Sequence, residues 1–156
     1  MMVEIERKFL VKGAFPEQEY VHESIKQGFL STDPKRTVRV RIGGTRGYIT
    51  VKGPGDLSGI MRFEWEHEIT LQEAAALLEL CEPGVIHKMR YRIPAGKHVF
   101  EVDVFHGENQ GLILAEIELQ SPTDDFIRPE WLGDEVTGDI RYYNAYLARN
   151  PFTTWQ

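Results

Sequence analysis

Val3-Glu4-Ile5-Glu6-Arg7-Lys8-Phe9 stands near the start of the 156-residue chain and alternates residue by residue. Side chains of an extended strand leave opposite faces with period two. Glu4, Glu6 and Lys8 therefore share one face, and Val3, Ile5, Arg7 and Phe9 share the other. A single half-solvated strand would alternate in the same way. What distinguishes this sequence is that the pattern returns in one segment after another, with charges grouped by sign.

Further strand-like runs are Glu23 to Leu30, Thr37 to Ile42, Gly47 to Lys52, Met61 to Thr70, His87 to Ile93, His98 to Phe105 and Leu112 to Gln120. Turn formers separate them: Pro34, Gly43-Gly44, Gly53-Pro54-Gly55, Pro94-Ala95-Gly96, Gly107 and Ser121-Pro122. A helix is expected over Leu71 to Cys81, with Thr70 as N-cap, Glu73 at the capping-box position and Pro83-Gly84 as the stop. A shorter helix is expected from about Arg141 to Arg149, ended before Pro151. Sorted by parity, one face collects Lys26, Arg39, Arg41, Lys52, Arg62, Glu64, Lys88, Arg90, Glu101, Asp103, Glu116 and Glu118. The opposite face collects Val38, Val40, Ile42, Phe63, Trp65, Met89, Tyr91, Phe100, Val102, Ala115 and Ile117.

Two architectures accommodate this pattern. A one-layer sheet would leave the charged faces in water, whereas a closed sheet would turn them into the lining of a polar tunnel with an apolar outside. Like charges two residues apart on a strand, such as Arg39 and Arg41, lie about 7 Å apart and repel by about 2 kcal/mol at an effective dielectric near 20. Inside a barrel that repulsion is tolerable only if anionic groups fill the space between. The sign grouping thus favours the closed form, with a polyanion as its occupant.

The 156 residues suit one domain, 1–156, with a sizeable core. At 42% apolar and 27% charged residues the composition is that of a globular protein. A net charge of −6 argues against nonspecific nucleic-acid or anionic-membrane binding. The lone Cys81 excludes a disulfide framework and fits a reducing, cytoplasmic setting. No export signal or membrane span is apparent, which sets aside an outer-membrane barrel. The five histidines lack zinc-site spacing, and no glycine-rich phosphate loop is present.

Clustered carboxylates resist ionisation unless a cation sits among them. Glu4 with Glu6 and Glu116 with Glu118 are therefore candidate ligands for a divalent metal, joined by Asp103 and Glu101, and oxygen donors favour Mg²⁺ or Mn²⁺. Lys8, Arg39, Arg41, Lys52, Lys88 and Arg90 supply point charges and planar forks for phosphate oxygens. Metal plus cationic cradle is the equipment of phosphoryl transfer, which works chiefly by alignment and charge neutralisation.

These residues carry a resemblance. Glu4-Ile5-Glu6-Arg7-Lys8 resembles the Glu-x-Glu-x-Lys signature of the CYTH superfamily, the triphosphate tunnel metalloenzymes, and of its short bacterial branch. The likeness continues through Lys26-Gln27-Gly28-Phe29, Arg39-Val40-Arg41, Thr50-Val51-Lys52, Arg62-Phe63-Glu64, Lys88-Met89-Arg90, Glu101-Val102-Asp103, Glu116-Ile117-Glu118 and Glu135-Val136-Thr137.

The resemblance implies an α+β, mainly β fold: an eight-stranded antiparallel closed barrel with a few flanking helices. It implies hydrolysis or cyclisation of triphosphates with a divalent metal. By position, Glu4, Glu6, Glu116 and Glu118 look like metal ligands, with Asp103 and Glu64 as supporting acids. Lys8, Lys26, Arg39, Arg41, Lys52, Arg62, Lys88 and Arg90 look like substrate ligands, and Lys8, Glu6 and Glu116 like the catalytic set. One departure is Phe29, where some relatives carry a tyrosine proposed to act with the strand-one lysine. Metal coordination lowers the pKa of water, so a dedicated side-chain base is not required.

The leading functional expectation is a metal-dependent inorganic triphosphatase acting on a small-molecule triphosphate. A class IV-type adenylate cyclase and a thiamine or nucleoside triphosphatase are the enzymatic alternatives. A non-catalytic polyphosphate or nucleotide sensor is the alternative from another class, though it would have no need of Glu116 and Glu118. The apolar exterior suits a homodimer.

Overall fold

The computed structural model of the chain describes residues 2–15 and 17–155. Nine strands and two α-helices follow in the order β1 (Val3–Val11), β2 (His22–Ser31), β3 (Thr37–Gly43), β4 (Arg46–Gly55), β5 (Met61–Ile69), α1 (Leu71–Glu79), β6 (Ile86–Ala95), β7 (His98–Phe105), β8 (Ile113–Glu118), β9 (Leu132–Glu135) and α2 (Asn144–Arg149). The sheet runs β5-β4-β3-β2-β6-β7-β8-β1-β9, and β1 also pairs with β5. That extra pairing closes eight antiparallel strands into a barrel. β9 is an addition that the sequence did not announce.

β1 closes the ring with both of its edges. Along one edge Glu6 to Leu10 pairs with β8. The other edge is divided: Val3, Glu4 and Ile5 face Phe63, Arg62 and Met61 of β5, while Phe9 and Val11 face Glu135 and Leu132 of β9. Just before β5 and just after β9, Gly59 and Gly138 meet so closely that a Cβ on Gly59 would stand 2.4 Å from the Cα of Gly138. Both have positive φ, which side chains disfavour.

The register assigns the faces. Lys8 lies opposite Glu116, Glu6 opposite Glu118, Arg39 opposite Thr50, Lys52 opposite Glu64, and Arg90 opposite Asp103. Since cross-strand partners share a face, the charged parity set converges on the barrel interior.

Three apolar clusters hold this arrangement. Phe9, Phe100, Val102, Ala115 and Ile117 form an outer face covered by Phe15 and Trp131. A second outer cluster packs α1, through Ala74 and Leu78, onto Val40. Gly47 permits that approach, because a Cβ there would lie 2.7 Å from the Ala74 Cβ. Thr70 and Glu73 form the expected capping box at the start of α1. The third cluster, unlike the others, fills one end of the barrel: Phe29, Ile86, Phe105, Leu112 and Leu114 close around Leu147 and Ala148 of α2. The late helix starts at Asn144, preceded by a 3-10 turn over Ile140–Tyr142, and it serves as a stopper.

Candidate active site

The barrel encloses a cavity of about 260 Å³ lined by eight basic and seven acidic side chains. Exposure rises along it. At the α2 end the side chains of Lys88 and Asp103 are each 1% exposed, whereas Arg92 and Glu101 at the other end are 42% and 36% exposed. The cavity is therefore closed at α2 and open beyond Glu101 and Glu66.

Thirteen residues expected from the sequence line it: Glu4, Glu6 and Lys8 from β1; Arg39 and Arg41 from β3; Lys52 from β4; Arg62 and Glu64 from β5; Lys88 and Arg90 from β6; Glu101 from β7; and Glu116 and Glu118 from β8. Two expected residues do not. Lys26 is exposed and lies opposite Ile42 and His87 on the outer face of β2. The inner face of β2 carries Ile25, Gln27 and Phe29, so the cationic character of Lys26 misled where parity should have ruled. Asp103 faces inward but sits behind the lining, where it accepts from Arg90 Nε and Nη2 at 2.8 and 2.9 Å and pairs with Lys88 Nζ at 2.8 Å. Both of its oxygens are engaged as the counter-ion of these two cations.

The structure gives ion-pair partners to Glu66 and Glu101, which the sequence places on this face, and adds residues from later in the chain. Glu66 pairs with Arg39 and Arg41 at 3.4 and 3.5 Å and accepts from Thr50 Oγ1 at 2.7 Å. Glu101 pairs with Arg90 and Arg92 at 3.4 and 3.8 Å. Thr137, Tyr143 and Asn144 reach the lining from the segment after β9. Asn144 Oδ1 accepts from Gln27 Nε2 at 2.7 Å and from Lys88 Nζ at 3.0 Å. The periodicity of Glu66 and Glu101 was visible in the sequence, but nothing local announces that a post-barrel segment folds back inside.

The acidic side of the cavity is crowded. Burial and the neighbouring Glu116 and Glu4 carboxylates push Glu6 well above the usual carboxylate range. Burial and a carboxyl–carboxyl hydrogen bond with Glu4 push Glu64 up to about 7. Burial would raise Glu116 too, but Lys8, a hydrogen bond from Glu6 and Arg90 hold it well below. Glu4 is held low despite burial by Lys52, which contacts it at 3.0 Å. Glu4 with Glu64 and Glu6 with Glu116 thus crowd negative charge that a cation would relieve.

That donor set of hard oxygens fits Mg²⁺ or Mn²⁺. Among the described residues no three acidic side chains already converge on a ready-made ligand set. A divalent metal would draw its ligands from Glu4, Glu6, Glu64, Glu116 and Glu118.

The basic side has uncommitted donors. Arg39 Nε is buried with no hydrogen-bond partner, a state that invites an anion because unpaired buried donors are costly. Burial, together with like-charged Arg39 and Arg90, lowers Arg41 to about 10. Burial lowers Lys88 to about 8, with Asp103 opposing and Arg90 reinforcing that shift. An entering anion would relieve this repulsion. Phe29 lines the cavity without a hydroxyl to offer Lys8, whose Nζ instead donates to the Tyr142 carbonyl at 3.1 Å.

Comparison with known proteins agrees with this geometry. The CYTH domain family matches residues 2–146. An inorganic triphosphatase of Acetivibrio thermocellus is 44% identical over 154 residues, covering 98% of this chain and 97% of that protein. An inorganic triphosphatase of Nitrosomonas europaea is 40% identical over 152 residues, covering 94% of this chain and 97% of that protein. A crystal structure of an inorganic triphosphatase superposes with a TM-score of 0.65 at 37% identity, covering 93% of this chain and 97% of the other.

Proposed function

The chain belongs to the CYTH domain family, and from that premise we propose that it is an inorganic triphosphatase, hydrolysing tripolyphosphate to pyrophosphate and phosphate within the barrel. The observation that carries this reading is the gathering of eight basic and seven acidic side chains in one cavity, with Arg39 Nε left without a partner among the cations and Glu6 and Glu64 crowded by neighbouring carboxylates.

In this reading the polyanion enters at the Glu66 and Glu101 end and displaces water from Arg39, Arg41, Lys52, Lys88 and Arg90. Arg39 offers its free Nε to a phosphate oxygen, and Arg90 is kept from rotating by its two-pronged contact with Asp103. Lys8 and Arg62 approach the same end of the chain from β1 and β5. Glu4, Glu6, Glu64, Glu116 and Glu118 would hold Mg²⁺ or Mn²⁺. A divalent cation there supplies charge neutralisation of phosphate oxygens and acidifies a water molecule.

Water attacks a terminal phosphorus in line with the anhydride bond. A new P–O bond forms, the bridging P–O bond breaks, and its electron pair leaves on pyrophosphate oxygen. The proton of the water departs through the carboxylate side. Lys8 and the other fixed cations neutralise the charge that builds on the leaving group, which is where such a site gains most of its rate.

A phosphate-release assay with Mg²⁺ or Mn²⁺ tests this, with tripolyphosphate, ATP and thiamine triphosphate as substrates and Glu6→Gln and Lys8→Ala as variants. Preferential tripolyphosphate hydrolysis, lost in both folded variants, is the expected result. Binding without turnover would point to a sensor, and cyclic AMP formation to a cyclase. No described helix is long and apolar enough to cross a membrane, and the free thiol of Cys81 suits a reducing, cytoplasmic compartment. Phe63 and Trp65, 43% and 39% exposed on the outer face of β5, are where a second copy would pack, and sedimentation measures whether it does.

A further inference from the structure

We propose that Tyr143 is a register-setting residue: its ring is the stop against which the leading end of a phosphate chain halts, and so it decides which anhydride bond is cut. The inference rests on the polyphosphate reading of the cavity.

The position of the ring carries it. Tyr143 lines the main cavity and also a second one of about 370 Å³, enclosed between α2 and the β2–β3 connection. The two spaces share Thr37, Arg62, Tyr143 and Ala145, so the ring stands in the partition between them. Lys8 Nζ lies 5.2 Å from the ring centroid and the Arg62 guanidinium 5.1 Å. Among the described residues neither cation has a carboxylate within salt-bridge distance, whereas Arg39, Arg41, Lys52, Lys88 and Arg90 all do. The negative face of an aromatic ring attracts cations, so Tyr143 holds Lys8 and Arg62 in place at the closed end until a phosphate oxygen meets them.

The neighbouring backbone is pinned. Lys8 Nζ bonds the Tyr142 carbonyl at 3.1 Å, and Gln27 and Lys88 both bond Asn144. The ring is thereby fixed from its two sequence neighbours and cannot recede easily before an advancing chain. Beyond it the lining changes. The second cavity carries Arg62 and Arg149 with no acidic side chain, so it could receive an anion were the ring absent.

Tripolyphosphate cannot reveal a register, because hydrolysis of either of its anhydride bonds gives the same products. Linear tetrapolyphosphate can. With water, cleavage of an outer bond gives phosphate and tripolyphosphate, whereas cleavage of the central bond gives two pyrophosphates. With the stop in place and the opposite mouth open, the extra phosphate projects outward and one bond is cut.

The test follows initial products by ³¹P NMR with enzyme in excess over tetrapolyphosphate and Mg²⁺ present, alongside tripolyphosphate turnover. The unmutated protein and Tyr143→Phe are expected to give one product pair, since the ring rather than the hydroxyl forms the stop. Tyr143→Ala is expected to give both pairs, as the chain slips by one phosphate toward Arg149, and adding Arg149→Ala is expected to suppress the new pair. Loss of rate with an unchanged product pair would overturn the inference, because a merely structural role slows the reaction without moving the scissile bond. A mixture from the unmutated protein, or no cleavage of tetrapolyphosphate by any form, would overturn it too, and both are readable if Tyr143→Ala fails to fold. Tyr143→Leu supplies a second truncation of the ring. If the unmutated protein leaves tripolyphosphate intact, the proposed function itself fails, which separates the two results.

Discussion

Asp103→Asn separates a counter-ion from a metal ligand. The substitution keeps the shape of the side chain and removes its charge, leaving buried Lys88 without its carboxylate partner and Arg90 with only its longer contacts to Glu101 and Glu116. Asp103 is 1% exposed and touches the two cations at 2.8 Å. Breaking a buried pair by deleting one partner costs about 3–5 kcal/mol. For a chain of this length each kcal/mol moves Tm by roughly 2–4 °C, so a fall of about 6–20 °C is expected by scanning calorimetry at neutral pH. Burial would raise the Asp103 carboxyl, but Arg90 and then Lys88 hold it below the ordinary aspartate value. A depressed folded-state pKa contributes stability above the unfolded value and loses it as pH falls through the folded one. The gap between the two proteins should therefore be full at neutral pH and close below the normal aspartate range. Tripolyphosphate should restore more stability to the variant than to the parent, since it delivers negative charge beside Lys88 and Arg90. Mg²⁺-dependent stabilisation should survive. A Tm drop below about 2 °C, or loss of the Mg²⁺ response, would refute the counter-ion assignment.

Other substitutions probe the remaining parts of the site and fold. Mg²⁺ at about one hundred times its Kd should raise the stability of the protein by about 2.7 kcal/mol, read as a thermal shift, and the shift should vanish in Glu6→Gln. Arg39→Ala should lower kcat/KM for tripolyphosphate by about a hundredfold, as expected for loss of a buried charge-assisted contact of about 3 kcal/mol, while Lys26→Ala should leave it unchanged. Gly59→Ala forces a Cβ onto Gly138 at positive φ and should cost on the order of 2–3 kcal/mol in denaturant unfolding. Thr70→Ala removes the capping box of α1 and should cost about 1 kcal/mol in the same measurement.

The barrel was legible because its determinants are periodic. Alternation over Val3 to Phe9, and again in the strands that follow, fixes a face for each residue without knowledge of neighbours, and thirteen cavity-lining residues follow that rule. Lys26 failed because its charge was allowed to overrule the parity of Gln27 and Phe29. β9 was missed because Leu132–Glu135 is a four-residue strand with acidic and glycine residues, too short for a period to emerge. Asp103 shares parity with the lining, yet its depth depends on two cations from a different strand, which no local pattern encodes. Tyr143 and Asn144 enter the site from a helix that the sequence placed correctly in order but not in space.

The divided edge of β1 also bears on how the molecule is made. Residues 3–11 are made before their hydrogen-bonding partners on β8 and β9, which span residues 113–135, more than a hundred positions later. Pairing at such sequence separation is slow, because a long loop must close before its contacts are gained. Until β8 has been made the sheet therefore has open margins, a period in which edge-to-edge association with other chains competes with closure. Ring completion must await β8, and the stopper helix, which lies further along the chain, packs on residues that β8 brings into place.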